Sequence, residues 1–118
     1  RINRIAAAAP EREEKKLDEK IEKTLSYINE NLSRELTVDV LADRVYLSRY
    51  HFMRLFKAQT GMTVHAYIRR KRLLYAARLI REGVNANKAA FDSGFADYST
   101  FHRAFTESFG MSPGKLKR

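Results

Sequence analysis

The sequence predicts an all-α chain in which two helix-turn-helix lobes are joined by a long connector helix. Three observations carry that expectation. Apolar residues recur at spacings of three and four in successive segments, which is the period of an amphipathic helix. Phe52 to Thr63 reads FMRLFKAQTGMT and Phe101 to Ser112 reads FHRAFTESFGMS, 49 residues later, with Phe52/Phe101, Arg54/Arg103, Phe56/Phe105, Gly61/Gly110 and Met62/Met111 identical. A repeat of that period indicates a duplicated supersecondary unit. Capping residues and glycines punctuate both copies at the positions where helices start and stop.

Residues 1–16 have no sustained apolar period: Ala6 to Ala9 end at Pro10 and a mixed-charge run follows, so this stretch is expected to be a linker or tail. The chain begins with arginine rather than methionine, which is compatible with a piece of a longer protein whose preceding part is a sensor. The first lobe is assigned to residues 17–63. Leu17, Ile21, Leu25, Ile28 and Leu32 form one helical face. Thr37 is placed to cap a short helix from Val38 to Arg44 or Val45, with Val38, Leu41, Ala42 and Val45 on one stripe. Ser48 caps the next helix, Arg49 to Thr60, and Gly61 supplies its left-handed stop.

The connector is assigned to residues 64–83, with Val64 to Glu82 helical and Gly83 closing it. Ile68, Leu73, Ala76, Leu79 and Ile80 are expected inward, and Arg69, Arg70, Lys71, Arg78 and Arg81 largely outward. In the second lobe, residues 84–118, Asn87 is expected to cap Lys88 to Ser93. Gly94 and Phe95 make the turn, Asp97 or Ser99 caps Tyr98 to Phe109, and Gly110 ends that helix. Ten residues separate Ala42 from Phe52 but eleven separate Ala90 from Phe101, so the second turn is longer by one. Ser112 and Pro113 open a last short turn.

Charge is distributed unevenly. Residues 1–35 hold eight Lys/Arg and eight Asp/Glu, whereas residues 36–118 hold fifteen and six, so the whole net charge of +9 lies with the repeat. A polyanion is the natural partner of such a surface, because basic side chains that meet phosphates release condensed counterions; a merely solvated basic face fits the charge equally well. The absence of cysteine excludes disulfides, thiol nucleophiles and cysteine zinc sites. No apolar run approaches the length of a membrane span, and a soluble, intracellular chain without membrane contact is expected.

The paired phenylalanines of each repeat, four residues apart, must face the lobe core, along with Met62 and Met111. That leaves Arg49, Tyr50, Met53, Arg54 and Lys57 for the outer side of the first copy. In the second it leaves Tyr98, Ser99, Thr100, His102, Arg103 and Thr106. These polar, lightly basic faces suit the reading of base edges in a major groove. Arg54 and Arg103 are the candidates for bidentate contact to guanine, and Tyr50, Met53 and Thr100 for thymine methyls. Each arginine has an alternative role, laying its stem over the hydrophobic edge with its head in water, and Tyr50 and Tyr98 are as well suited to packing.

His51, His65 and His102 show no metal-ligand spacing, so no metal site is expected. Ser48 and Ser99 have no neighbouring base to activate them and read as caps or phosphate contacts. With no glycine-rich phosphate loop either, no catalytic residues, no cofactor and no enzymatic activity are expected.

LADRVYLSRYHFMRLFKAQTG (Leu41 to Gly61), YIRRKRLLYAARLI (Tyr67 to Ile80) and GFADYSTFHRAFTESFGMSP (Gly94 to Pro113) together resemble the DNA-binding domain of AraC/XylS-type transcription regulators, over about residues 17–118. The resemblance implies a domain of about seven helices in two homeodomain-like lobes, whose two recognition helices enter successive major grooves on one face of double-stranded DNA. A connector of about 19 residues spans roughly 28 Å, near the roughly 34 Å turn of the duplex. Base-reading positions of the family transfer to Tyr50, Met53 and Arg54, and to Tyr98, Ser99, Thr100 and Arg103; phosphate-gripping positions transfer to Ser48, Arg49 and Lys57. The implied protein is a bacterial regulator, an activator by family habit, cytoplasmic and nucleoid-associated, with RNA polymerase as a partner. Ala89 and Ala90 stand where the family has Ile-Ala, Thr106 where it often has lysine, and Leu116–Lys117 where an aromatic is usual. These departures predict a second lobe that packs or grips phosphate more weakly. Two rival readings accompany this one: a nonspecific nucleic-acid binder, and a helical module that uses its basic helices on an acidic protein.

Overall fold

A computed structural model of the chain describes residues 17–116. The expected linker, residues 1–16, lies outside them, as do Lys117 and Arg118. Among the described residues there are six α-helices, one short 3-10 turn and no strand: α1 (Glu19–Glu30), α2 (Val38–Arg44), α3 (Arg49–Thr60), α4 (Val64–Arg81), α5 (Ala86–Asp92), α6 (Tyr98–Phe109) and the turn Pro113–Lys115. The all-α, two-lobed class read from the sequence is the one observed.

Every α-helix begins on a side-chain cap. Asp18, Thr37, Ser48, Thr63, Asn85 and Asp97 each accept a backbone N–H from the first turn of the helix they precede. Each cap satisfies a donor that has no partner inside the helix and contributes about 1 kcal/mol. Helices α3 and α6 both end on a left-handed glycine, Gly61 at φ 80° and Gly110 at φ 74°, whose N–H returns to the carbonyl of Lys57 or Thr106. Helix α5 starts two residues earlier than expected, because Asn85 rather than Asn87 supplies the cap. Of the two capping candidates for α6, Asp97 is the one used.

Two hydrophobic cores result. The first gathers Ile21, Ile28, Leu41, Phe52 and Phe56 with Val64 and Ile68; the second gathers Leu73, Ala76, Ala77 and Ile80 with Ala89, Ala90, Phe101, Ala104 and Phe105. Helix α4 therefore belongs to both, and the division falls between Ile68 and Leu73. All four repeat phenylalanines are fully buried. Within each pair the ring centroids are 5.9 Å and 5.5 Å apart in tilted packing. Burial of such a ring contributes about 1.5–3 kcal/mol, so these four side chains anchor the recognition helices to their lobes. The methionines that follow the helix-ending glycines are not core: Met62 is half-buried and Met111 is 40% exposed. The left-handed turn at each glycine carries the chain off the buried face before the methionine is reached.

Candidate nucleic-acid interface

With Phe52 and Phe56 fixed inward, α3 presents Tyr50, Met53, Arg54 and Lys57 outward as one exposed stripe at helical spacing. The equivalent stripe of α6, offset by 49 residues, is Ser99, His102, Arg103 and Thr106, all exposed. Tyr50 is 70% exposed and Met53 41%, so the stripe carries apolar surface beside its basic groups. The expected base-reading residues of the first copy therefore share one face. Those of the second divide: Ser99 and Arg103 lie on the stripe, while Tyr98 and Thr100 flank it at the start of the helix.

The two arginines stand in different surroundings. The Arg54 guanidinium lies 5.5 Å from the centroid of the Tyr50 ring, within cation–π range, so the ring holds the head of the side chain over the outer face. Arg103 instead has a carboxylate nearby. Asp97 accepts the Thr100 N–H at 2.8 Å and the Thr100 hydroxyl at 3.2 Å. These two bonds, with the positive charge of Arg103 as a smaller contribution, hold the Asp97 carboxyl below the usual aspartate range. Thr100 is thus committed to the α6 cap through both its backbone and its hydroxyl.

The expected phosphate-gripping residues also have partners. The Ser48 side chain accepts the His51 N–H at 3.1 Å as the α3 cap, and its hydroxyl proton remains able to donate. Arg49 donates from Nη1 to Asp39 of α2 at 2.9 Å, an exposed pair worth little. Lys57 is exposed.

His102, expected on the outer side of the second copy, holds the place of Met53 on the second stripe, and its ring lies 6.0 Å from that of Tyr98. One feature escapes sequence reasoning. Arg72, in the middle of α4, points into the junction between the lobes rather than outward; nothing local in the sequence signals that contact. Among the described residues no cluster of His, Asp or Glu could hold a metal ion, and no helix is long and apolar enough to cross a membrane.

A family model described as "Helix-turn-helix domain" matches residues 41–118. The probable transcriptional regulator LumQ of Photobacterium leiognathi is 38% identical over 93 residues, covering 78% of this chain and 38% of LumQ. The chain thus spans well under half the length of that relative. The regulatory protein SoxS of Escherichia coli K12 is 32% identical over 98 residues, covering 82% of this chain and 92% of SoxS. Among solved structures, the DNA-binding domain of AdpA, a global transcriptional factor in complex with a target DNA, superposes with a TM-score of 0.78 at 26% identity, covering 82% of this chain and 88% of that one.

Proposed function

Because the chain belongs to the AraC/XylS-type family of helix-turn-helix DNA-binding domains, we propose that it reads an asymmetric duplex site with α3 and α6 in successive major grooves. DNA binding in transcription regulation is the activity of this family. The observation that carries the finer reading is the pair of outer stripes: same helical positions, same arginine, different neighbours. Each stripe has the donors and apolar contacts that distinguish base edges in a groove wide enough for one helix.

Tyr50, Met53 and Arg54 are the readers of the first element, and Ser99 and Arg103 those of the second, with Tyr98 and Thr100 beside them at the α6 start. Arg54 and Arg103 suit guanine, because a guanidinium can donate to O6 and N7 together. Ser48, Arg49 and Lys57 are placed to grip phosphate around α3; for Arg49 this exchanges the Asp39 pair, at a cost of about 0.2–1 kcal/mol. Thr106 leaves the second stripe without the lysine that Lys57 provides to the first, which supports a weaker phosphate grip by the second lobe. Helix α4, 18 residues long, spans about 27 Å, compatible with recognition helices about one duplex turn apart.

Beyond the domain itself, the full regulator is proposed to be a cytoplasmic, nucleoid-associated activator that contacts RNA polymerase and couples to a sensor domain preceding Arg1. Footprinting on duplex DNA against an excess of unrelated competitor tests the binding reading. Protection of two adjacent segments on one face of the duplex is expected. Binding abolished by the competitor to the same extent on every sequence would instead favour a nonspecific nucleic-acid binder, and no binding at moderate salt would favour a protein-interaction module.

A further inference from the structure

The arginines of α4 do not all behave alike. Arg69, Arg70, Arg78 and Arg81 are exposed, as a basic helix face requires, but Arg72 is half-buried. Its Nε donates to the Leu32 carbonyl at 2.9 Å and its Nη2 to the Arg34 carbonyl at 2.8 Å. Both acceptors are backbone groups of the segment between α1 and α2, so the guanidinium clamps first-lobe main chain to the middle of the connector.

The second lobe meets the same point. Gly94, in the turn between α5 and α6, has φ 100°, and a Cβ added there would collide with the Leu32 carbonyl oxygen and lie 2.7 Å from Arg72 Nε. Three parts of the fold therefore converge: first-lobe backbone, connector side chain, second-lobe turn. The convergence occurs between Ile68 and Leu73, where α4 passes from one core to the other. Grooves of about 580 and 560 Å³ open on either side of it, one bordered by His65 and Arg69, the other by Tyr75 and Phe91.

A helix shared by two small cores fixes their separation but resists rocking of one lobe only through its own stiffness. A forked donor held on two main-chain carbonyls adds a constraint at the pivot, because charge-assisted bonds are the stronger kind and the planar fork fixes their direction. We propose that Arg72 is a positioning residue that locks the angle between the two lobes, and thereby sets the spacing between half-sites that the domain accepts. The inference rests on the two-groove reading above. If each recognition helix reads one element, a lobe free to rock accommodates elements that are too close or too far apart, whereas a locked pair does not.

The test uses the bipartite site that the wild-type protein selects from random duplexes, remade with the intervening spacer lengthened or shortened by one or two base pairs. Wild-type affinity is expected to fall about tenfold or more on the altered spacers, comparable to losing a base contact. In Arg72→Met, affinity for the altered spacers should fall less than about threefold from its own best site, with each isolated element bound as by wild type. A folded Arg72→Met with unchanged spacing discrimination overturns the proposal. If that variant loses its cooperative thermal transition, Arg72→Lys takes its place, keeping the charge and stem while lacking the fork, under the same two outcomes. A wild-type protein that selects no bipartite site overturns the two-groove reading itself, which distinguishes that failure from failure of the lock.

Discussion

Tyr46 occupies in the first helix-turn-helix unit the left-handed position that Gly94 occupies in the second. Tyr46 has φ 60° and Gly94 has φ 100°. In both turns the residue donates its N–H three residues back, to Asp43 or Phe91, and the next residue donates five back, to Ala42 or Ala90. The backbone is duplicated more faithfully than the sequence. A left-handed turn is costly for a residue with a Cβ, and Tyr46 gains no packing in return, being 90% exposed.

Tyr46→Gly should therefore stabilise the domain by about 0.5–1 kcal/mol, the relief of left-handed strain less the added freedom of the unfolded chain. Gly94→Ala should do the reverse, by about 2 kcal/mol or more, because it introduces the strain and drives a methyl into the Leu32 carbonyl and Arg72. Chemical denaturation of the two variants beside wild type checks both signs. Equal effects of the same sign would contradict the equivalence of the turns.

Arg54→Ala and Arg103→Ala should each weaken binding to the selected site by about 1–3 kcal/mol while leaving binding to unrelated duplex nearly unchanged. Lysine at either position should restore little, since it lacks the fork that spans O6 and N7. Lys57→Ala should act differently, weakening binding on all sequences alike and reducing the slope of log affinity against log salt by about one. Titrations on cognate and unrelated duplex at several salt concentrations separate these two behaviours.

The Asp97 carboxyl is held below the usual aspartate range by the Thr100 N–H and hydroxyl, with Arg103 adding to the effect. A group whose native pKa is depressed contributes stability that is present above its unfolded value and is lost as pH falls through the native value. The α6 cap should therefore be intact at neutral pH, begin to weaken near about pH 4, and lose its ionic part below the native pKa. Asp97→Asn keeps an acceptor for the Thr100 N–H but removes the titration. Its stability should show a shallower dependence on pH than wild type in that acid window, measured by thermal denaturation across pH; identical profiles would contradict the assignment.

How much of this was legible in the sequence depended on the range of the interaction. Helix α3 emerged with its observed bounds because cap, period and stop are local: Ser48, the Phe52–Phe56 pair and Gly61 lie within fourteen residues. Helix α5 starts two residues before its expected position because Asn85 and Asn87 are the same residue type two positions apart, and the local sequence does not distinguish which of them caps. Met62 and Met111 are expected in the core with the repeat phenylalanines, but each follows a left-handed glycine and lies off the buried face. The stripe of α3 followed from helical geometry once the phenylalanines were fixed inward. The Arg72 junction was invisible because its partners lie 40 and 38 residues away and are backbone carbonyls, which no residue type advertises.

The central claim is that two unequal stripes on one chain read two different elements about one duplex turn apart. Selection from a pool of random duplexes, followed by sequencing of the bound fraction, tests it most directly. The predicted result is one enriched asymmetric motif with two conserved blocks separated centre to centre by about 10 base pairs, the block under α3 the more strongly conserved. Enrichment of a single block, or of no sequence above the starting pool, would contradict it.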